Sequence, residues 1–217
     1  MSSLDELQQT ALRFISSGEP ANAVPILREC LNLIGGQSGT RSLDYAQGMF
    51  SLALCMLRTN PSDLGEVHSL AREALNIRIA AKGRVDASVA ICAEFLGGVC
   101  LQQTLLGEAE SAFRLSLENA VGLVGPSHPN TAKAQYSLAC VLLKMDRPTE
   151  AIPLAEPCMQ TRRNVFGPQS AEAIASASLL AECYRKSGDL AAAESVLNEE
   201  SPSEVPLHEA PFQNTMR

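Results

Sequence analysis

The sequence predicts an all-α protein, a right-handed α-solenoid of about five antiparallel helix hairpins. Three observations predict it. Dipeptides recur at a spacing of 42 residues, as in Leu96-Gly97, Leu138-Ala139 and Leu180-Ala181, and a fixed period of that size marks stacked supersecondary units. Small residues stand in two columns at equivalent places, Ala11, Ala53, Gly97, Ala139 and Ala181 in one, Ala23, Val67, Ala109, Ala151 and Ala193 in the other. Small side chains there let two helices approach closely, where large ones would hold them apart. Finally, the chain is 46% hydrophobic but only 4% aromatic, with no Trp, so its core must be packed from Ala, Leu, Val, Ile and Cys.

The units follow in order. The first spans 3–39, and its Cys30-Leu31 and Gly39 stand 44 residues before Ala74-Leu75 and Gly83 of the second, 40–85. The two extra residues are expected in the turn Asn60-Pro61-Ser62-Asp63, since Leu52-Ala53 also lies 44 before Leu96-Gly97 and insertions belong in turns. In the third unit, 86–128, the spacing returns to 42, from Gly83 to Gly125 and from Ala74-Leu75 to Ser116-Leu117. The fourth, 129–170, parses most clearly. Pro129 opens a helix where a missing N–H costs nothing, that helix runs to about Met145, and Asp146-Arg147-Pro148 makes the turn. A second helix carries Glu150 to Asn164 and stops at Gly167-Pro168. Leu138, Val141, Leu142 and Met145 mark one buried stripe on the first helix. The fifth unit, 171–199, is truncated. Residues 200–217 hold Pro and Glu without a helical period and are expected to form a tail that is disordered alone.

His128-Pro129-Asn130-Thr131-Ala132, Leu138-Ala139, Glu150-Ala151 and Phe166-Gly167-Pro168 resemble the tetratricopeptide repeat in its 42-residue variety, found in kinesin light chains. The resemblance covers roughly residues 3 to 199 and implies a binding fold, in which the first helix of each hairpin lines a concave groove that accepts extended or helical peptides. The inward positions expected on that basis are Asp5, Gln8 and Leu12, then Gln47, Phe50, Arg58, Glu94, Gln102, Lys133, Tyr136, Lys144, Ser178, Glu182, Arg185 and Lys186. The paired Asn residues with which kinesin light chains grip cargo are replaced by Phe50-Ser51, Glu94-Phe95, Tyr136-Ser137 and Ser178-Leu179. Leu12, Leu54, Gly98, Cys140 and Glu182 stand where a terminal-carboxylate clamp would need Asn. Neither ligand of those relatives is therefore inherited.

Composition narrows the function classes. With 17 basic against 24 acidic residues the net charge is -7, the wrong sign for a phosphate-neutralising protein, so no direct nucleic-acid contact is expected. The N-terminus, MSSLDELQQTALRF, carries Asp5 and Glu6 and no signal-length apolar run, and no window reaches the length of a membrane span. A cytoplasmic protein without membrane insertion is expected, in a cytoskeletal or ciliary setting. The seven cysteines include no C-x-x-C pair and sit in apolar helical stretches, which suits buried free thiols rather than metal ligands. His68, His128 and His208 suggest no metal or triad grouping, and Gly35-Gly36 and Gly97-Gly98 lack the Lys and Ser or Thr of a phosphate loop. No enzyme activity and no cofactor or metal is expected.

The sequence thus reads as a protein–protein interaction scaffold, built into a larger cytoskeletal, ciliary or ribosomal assembly. The alternative is a free soluble adaptor whose groove takes an acidic segment, steered by Lys133, Lys144, Arg185 and Lys186 and anchored on Tyr136. The chain's own tail, with Glu199, Glu200, Glu204 and Glu209 beside Val205, Leu207 and Phe212, is a further candidate occupant.

Overall fold

Each hairpin opens on a residue able to satisfy orphan helix N–H groups. In the computed structural model, which describes residues 3–60 and 63–198, Ser3, Ser42, Asp86, His128 and Ser170 cap the first helices of successive hairpins. Ser3 and Glu6 close a full capping box. These first helices are α1 (Leu4–Ser16), α3 (Leu43–Thr59), α5 (Ala87–Gln102), α7 (Pro129–Lys144) and α9 (Ala171–Ser187). Their partners are α2 (Pro20–Ser38), α4 (Leu64–Lys82), α6 (Leu106–Val124), α8 (Pro148–Phe166) and α10 (Leu190–Asn198). The second helices of the first four hairpins end at Gly39, Gly83, Gly125 and Gly167, with φ between 82° and 90°, a conformation that a side chain would strain.

Consecutive helices pack in sequence, giving the right-handed α-solenoid of antiparallel hairpins that the period predicts. One boundary differs from the sequence expectation: α8 begins at Pro148, not Glu150, because proline is accommodated at the first helical position. Pro153 and Pro157 are carried within the same helix. Residues 61 and 62 of the turn assigned the two-residue insertion, and the tail 200–217, lie outside the described residues.

Both small-residue columns are buried. Ala53, Ala139 and Ala181, like Ala23, Val67, Ala109 and Ala151, are fully inaccessible. At Gly97 even a Cβ is excluded: it would lie 2.7 Å from the ring of Phe113 in α6, which stands where the neighbouring hairpins carry Ala71 and Ala155. Its neighbour Gly98 faces open space. The two glycines should therefore respond oppositely to alanine. Gly97→Ala is expected to cost about 1–2 kcal/mol, overpacking offset by a gain in helix propensity, while Gly98→Ala should stabilise by about 0.5–1 kcal/mol. Urea unfolding of the two variants checks the signs, and equal effects would contradict the packing assigned to Phe113.

A ladder of ion pairs runs along the outer helices at the repeat spacing. Arg28 of α2 pairs with Glu66 of α4 at 2.6 Å, Arg72 of α4 with Glu108 of α6 at 2.5 Å, and Arg114 of α6 reaches Glu150 of α8 at 3.9 Å. Exposed pairs of this kind each contribute little.

Candidate interaction groove

The inner faces of α3, α5 and α7, with the end of α6, enclose a cavity of about 600 Å³. Three residues expected to face inward, Phe50, Glu94 and Lys133, line it together. Phe50 is almost fully buried, its ring set edge-on to Phe95 at 5.3 Å and 76° and covered by the Arg78 guanidinium at 5.3 Å. Glu94 is held by two hydroxyls: Ser116 Oγ of α6 donates to Oε2 at 3.1 Å and Ser137 Oγ of α7 to Oε1 at 3.0 Å. Lys133 Nζ stands 3.6 Å from the same carboxylate.

The other expected positions are placed elsewhere. Gln47 is spent on accepting a hydrogen bond from Arg78 Nη2 at 2.7 Å. Tyr136 lies under the Arg162 guanidinium at 4.4 Å, and burial raises its phenol pKa. Arg185 pairs with Glu182 on its own helix, and Lys186 Nζ lies 3.8 Å from Asp146. Of the four cations assigned to an acidic ligand, Lys144 alone makes no ion pair among the described residues. Asp5, Gln8, Leu12, Arg58, Gln102 and Ser178 are exposed outside the cavity.

What the cavity mainly presents is apolar. Leu54, Ile91, Leu123 and Val124 line it and remain 37%, 57%, 46% and 45% exposed. Sequence reasoning noted Leu54 only as the residue in place of a clamp Asn and missed the other three, although Ile91 was within reach: it stands 42 before Lys133, in a position already counted as inward. Leu123 and Val124 come from the C-terminal turn of an outer helix, a position the resemblance gave no reason to inspect.

The histidine reading needs correction. His68 of α4, Cys100 of α5 and Glu108 of α6 meet, with their nitrogen, sulfur and oxygen within 4.8 Å of one another. Their spacing along the chain conceals this, because the contact crosses the junction between two hairpins. His68 Nε2 lies 3.1 Å from Glu108 Oε1, off the line of a hydrogen bond. Burial pushes the Cys100 thiol up to about 11, so at neutral pH it is protonated and lacks the thiolate of a nucleophile. Glu108 is already engaged by Arg72, and a cation bound there would compete with that guanidinium. His128 caps α7, its Nδ1 accepting from Asn130 N at 3.1 Å.

The comparisons with known proteins agree with the repeat fold. A family model described as the tetratricopeptide repeat matches residues 88–156 and 138–200. No curated protein matches the sequence. Among solved structures, the kinesin-light-chain-type, nearly identical TPR-like repeats from Podosopora anserina align with a TM-score of 0.76 at 17% identity, over 92% of this chain and 95% of that one. BtubC (BKLC) from P. vanneervenii aligns at 0.74 and 18%, over 98% and 85%. MamA from Desulfovibrio magneticus RS-1 aligns at 0.67 and 13%, over 91% and 92%. Identities this low show a shared fold alone. Among the described residues, no helix is long and apolar enough to cross a membrane.

Proposed function

Because the chain belongs to the tetratricopeptide repeat family, in its kinesin-light-chain-like form, we propose that it is a protein–protein interaction scaffold that holds an apolar-anchored segment of a partner in the cavity between α3, α5 and α7. The observation that carries this reading is the convergence of Leu54, Ile91, Leu123 and Val124, all substantially exposed, on one concave site. Apolar side chains gathered in a cleft are what a bound segment desolvates, at about 25 cal/mol per Å² before the costs of association. The charged residues lining the cavity are one carboxylate, Glu94, and one ammonium, Lys133, so its charge gives an acidic segment no net anchor there.

Selection from a displayed library of random dodecapeptides tests the reading. Peptides enriched on the wild-type chain should carry two or more large apolar residues, and Leu54→Asp or Ile91→Asp should each weaken them about tenfold or more. Selected peptides that bind both variants as well as the wild type would refute the site.

A second reading, a built-in subunit of a cytoplasmic assembly, is favoured by Leu12 and Leu190, 64% and 60% exposed on the first and last hairpins away from the cavity. Sedimentation of a lysate separates the two: a free scaffold runs near 23.1 kDa, a subunit with a particle many times larger.

A further inference from the structure

The cavity exists because the third hairpin breaks a pattern that its neighbours keep. Arg78 of α4, Ala120 of α6 and Arg162 of α8 occupy one register position, 42 residues apart. Arg78 is 5% exposed; its guanidinium covers Phe50, and its Nη1 donates to the carbonyl oxygen of Ser88, in the first turn of the next hairpin, at 3.1 Å. Arg162 repeats the arrangement, covering Tyr136 and donating from Nη1 to the carbonyl oxygen of Glu172 at 3.2 Å and to Ser176 Oγ at 3.0 Å. Phe50, Glu94 and Tyr136 are equivalent positions, as are Ser88, Asn130 and Glu172. In the third hairpin the arm is absent at Ala120, the aromatic platform is a carboxylate at Glu94, and Ala120, Glu94 and Asn130 all line the cavity.

We infer that the cavity is a socket for an arginine side chain supplied by the partner. It rests on the reading of this cavity as the partner site. The space vacated at Ala120 is the space that the guanidinium stem fills in the flanking hairpins. Glu94, oriented by Ser116 and Ser137, supplies the charge complement, and a planar guanidinium can bridge a carboxylate through two donors where an ammonium cannot. Lys133 is 64% exposed and 3.6 Å from Glu94, an exposed pair that exchanges readily. Leu54 and Ile91 receive the apolar residues that flank the arginine. The occupant is therefore a segment with one arginine among large apolar residues.

The probe is the highest-affinity peptide from the dodecapeptide selection. It should contain an arginine flanked by apolar residues, and replacing that arginine by neutral citrulline should weaken binding about tenfold or more. On Glu94→Gln the difference between arginine and citrulline should shrink to about twofold. Ala120→Arg, which fills the socket from within, should abolish binding while leaving the circular dichroism melt at or above that of the wild type. Selected peptides that lack arginine, or an arginine preference that persists on Glu94→Gln, would overturn the socket while Leu54→Asp still reported the groove. If Leu54→Asp also left binding unchanged, the groove reading would fall with it.

Discussion

Between pH 9 and pH 11 the protein is expected to lose stability steeply, because its core holds thiols that ionise less readily folded than unfolded. Cys92, Cys100 and Cys183 are fully inaccessible, and burial pushes each from an ordinary 9.0 up to about 11. In the unfolded chain the same thiols ionise near 9. Unfolding therefore releases protons in this window, so stability that is complete below pH 9 is lost as pH rises toward 11. One thiol contributes about 1.4 kcal/mol per pH unit, and three together about 4 kcal/mol per unit at the steepest point. Urea unfolding followed by circular dichroism at pH 8, 9, 10 and 11 reads the slope directly, and Cys92→Ala should lower it by at most about 1.4 kcal/mol per pH unit. A stability that stays flat across the window would contradict the burial of these thiols.

Replacing Asn119 with Ala is expected to destabilise the protein by about 2–4 kcal/mol. Asn119 is completely buried in α6 and closes the connection into the third hairpin. Its Oδ1 accepts from Asp86 N at 2.8 Å, and its Nδ2 donates to the carbonyl oxygens of Arg84 and Leu115, each at 2.8 Å. Alanine leaves the Asp86 amide and the Arg84 carbonyl without these partners and opens a void beside them. Asp86 is the residue that caps α5, so the damage should spread into the first turn of that helix. The thermal midpoint is expected to fall by at least about 5 °C, with faster amide exchange across residues 84–89. A smaller shift with unchanged exchange would mean that this connection is held by something other than Asn119.

The solenoid was legible because its cause is local and repeated. The small-residue columns, the Pro129 start and the glycine stops each act within one hairpin, and their recurrence at 42 residues announces the stack. The His68, Cys100 and Glu108 contact was illegible for the opposite reason: it joins helices of different hairpins, and no spacing within one unit encodes it. The groove lay between these extremes. Phe50, Glu94 and Lys133 could be read from the register, but whether a side chain in such a position is free depends on the outer helix opposite. Gln47 and Tyr136 share the face yet are taken up by Arg78 and Arg162. Reading the outer helices against one another would have shown Ile34 and Ala120 where the second and fourth hairpins carry Arg78 and Arg162, with Ala120 alone flanked by arginine on both sides. The apolar lip at Leu123 and Val124 follows from the same place, since both lie on the last turn of the helix that carries Ala120.

That alanine also bears on how a partner could be aligned. An array of identical hairpins offers an extended ligand several equivalent placements, each displaced by one unit, and a ligand free to slide among them is held without being positioned. Ala120, set between Arg78 and Arg162, removes the equivalence. It gives the stack a zero point from which every other contact along the groove can be measured.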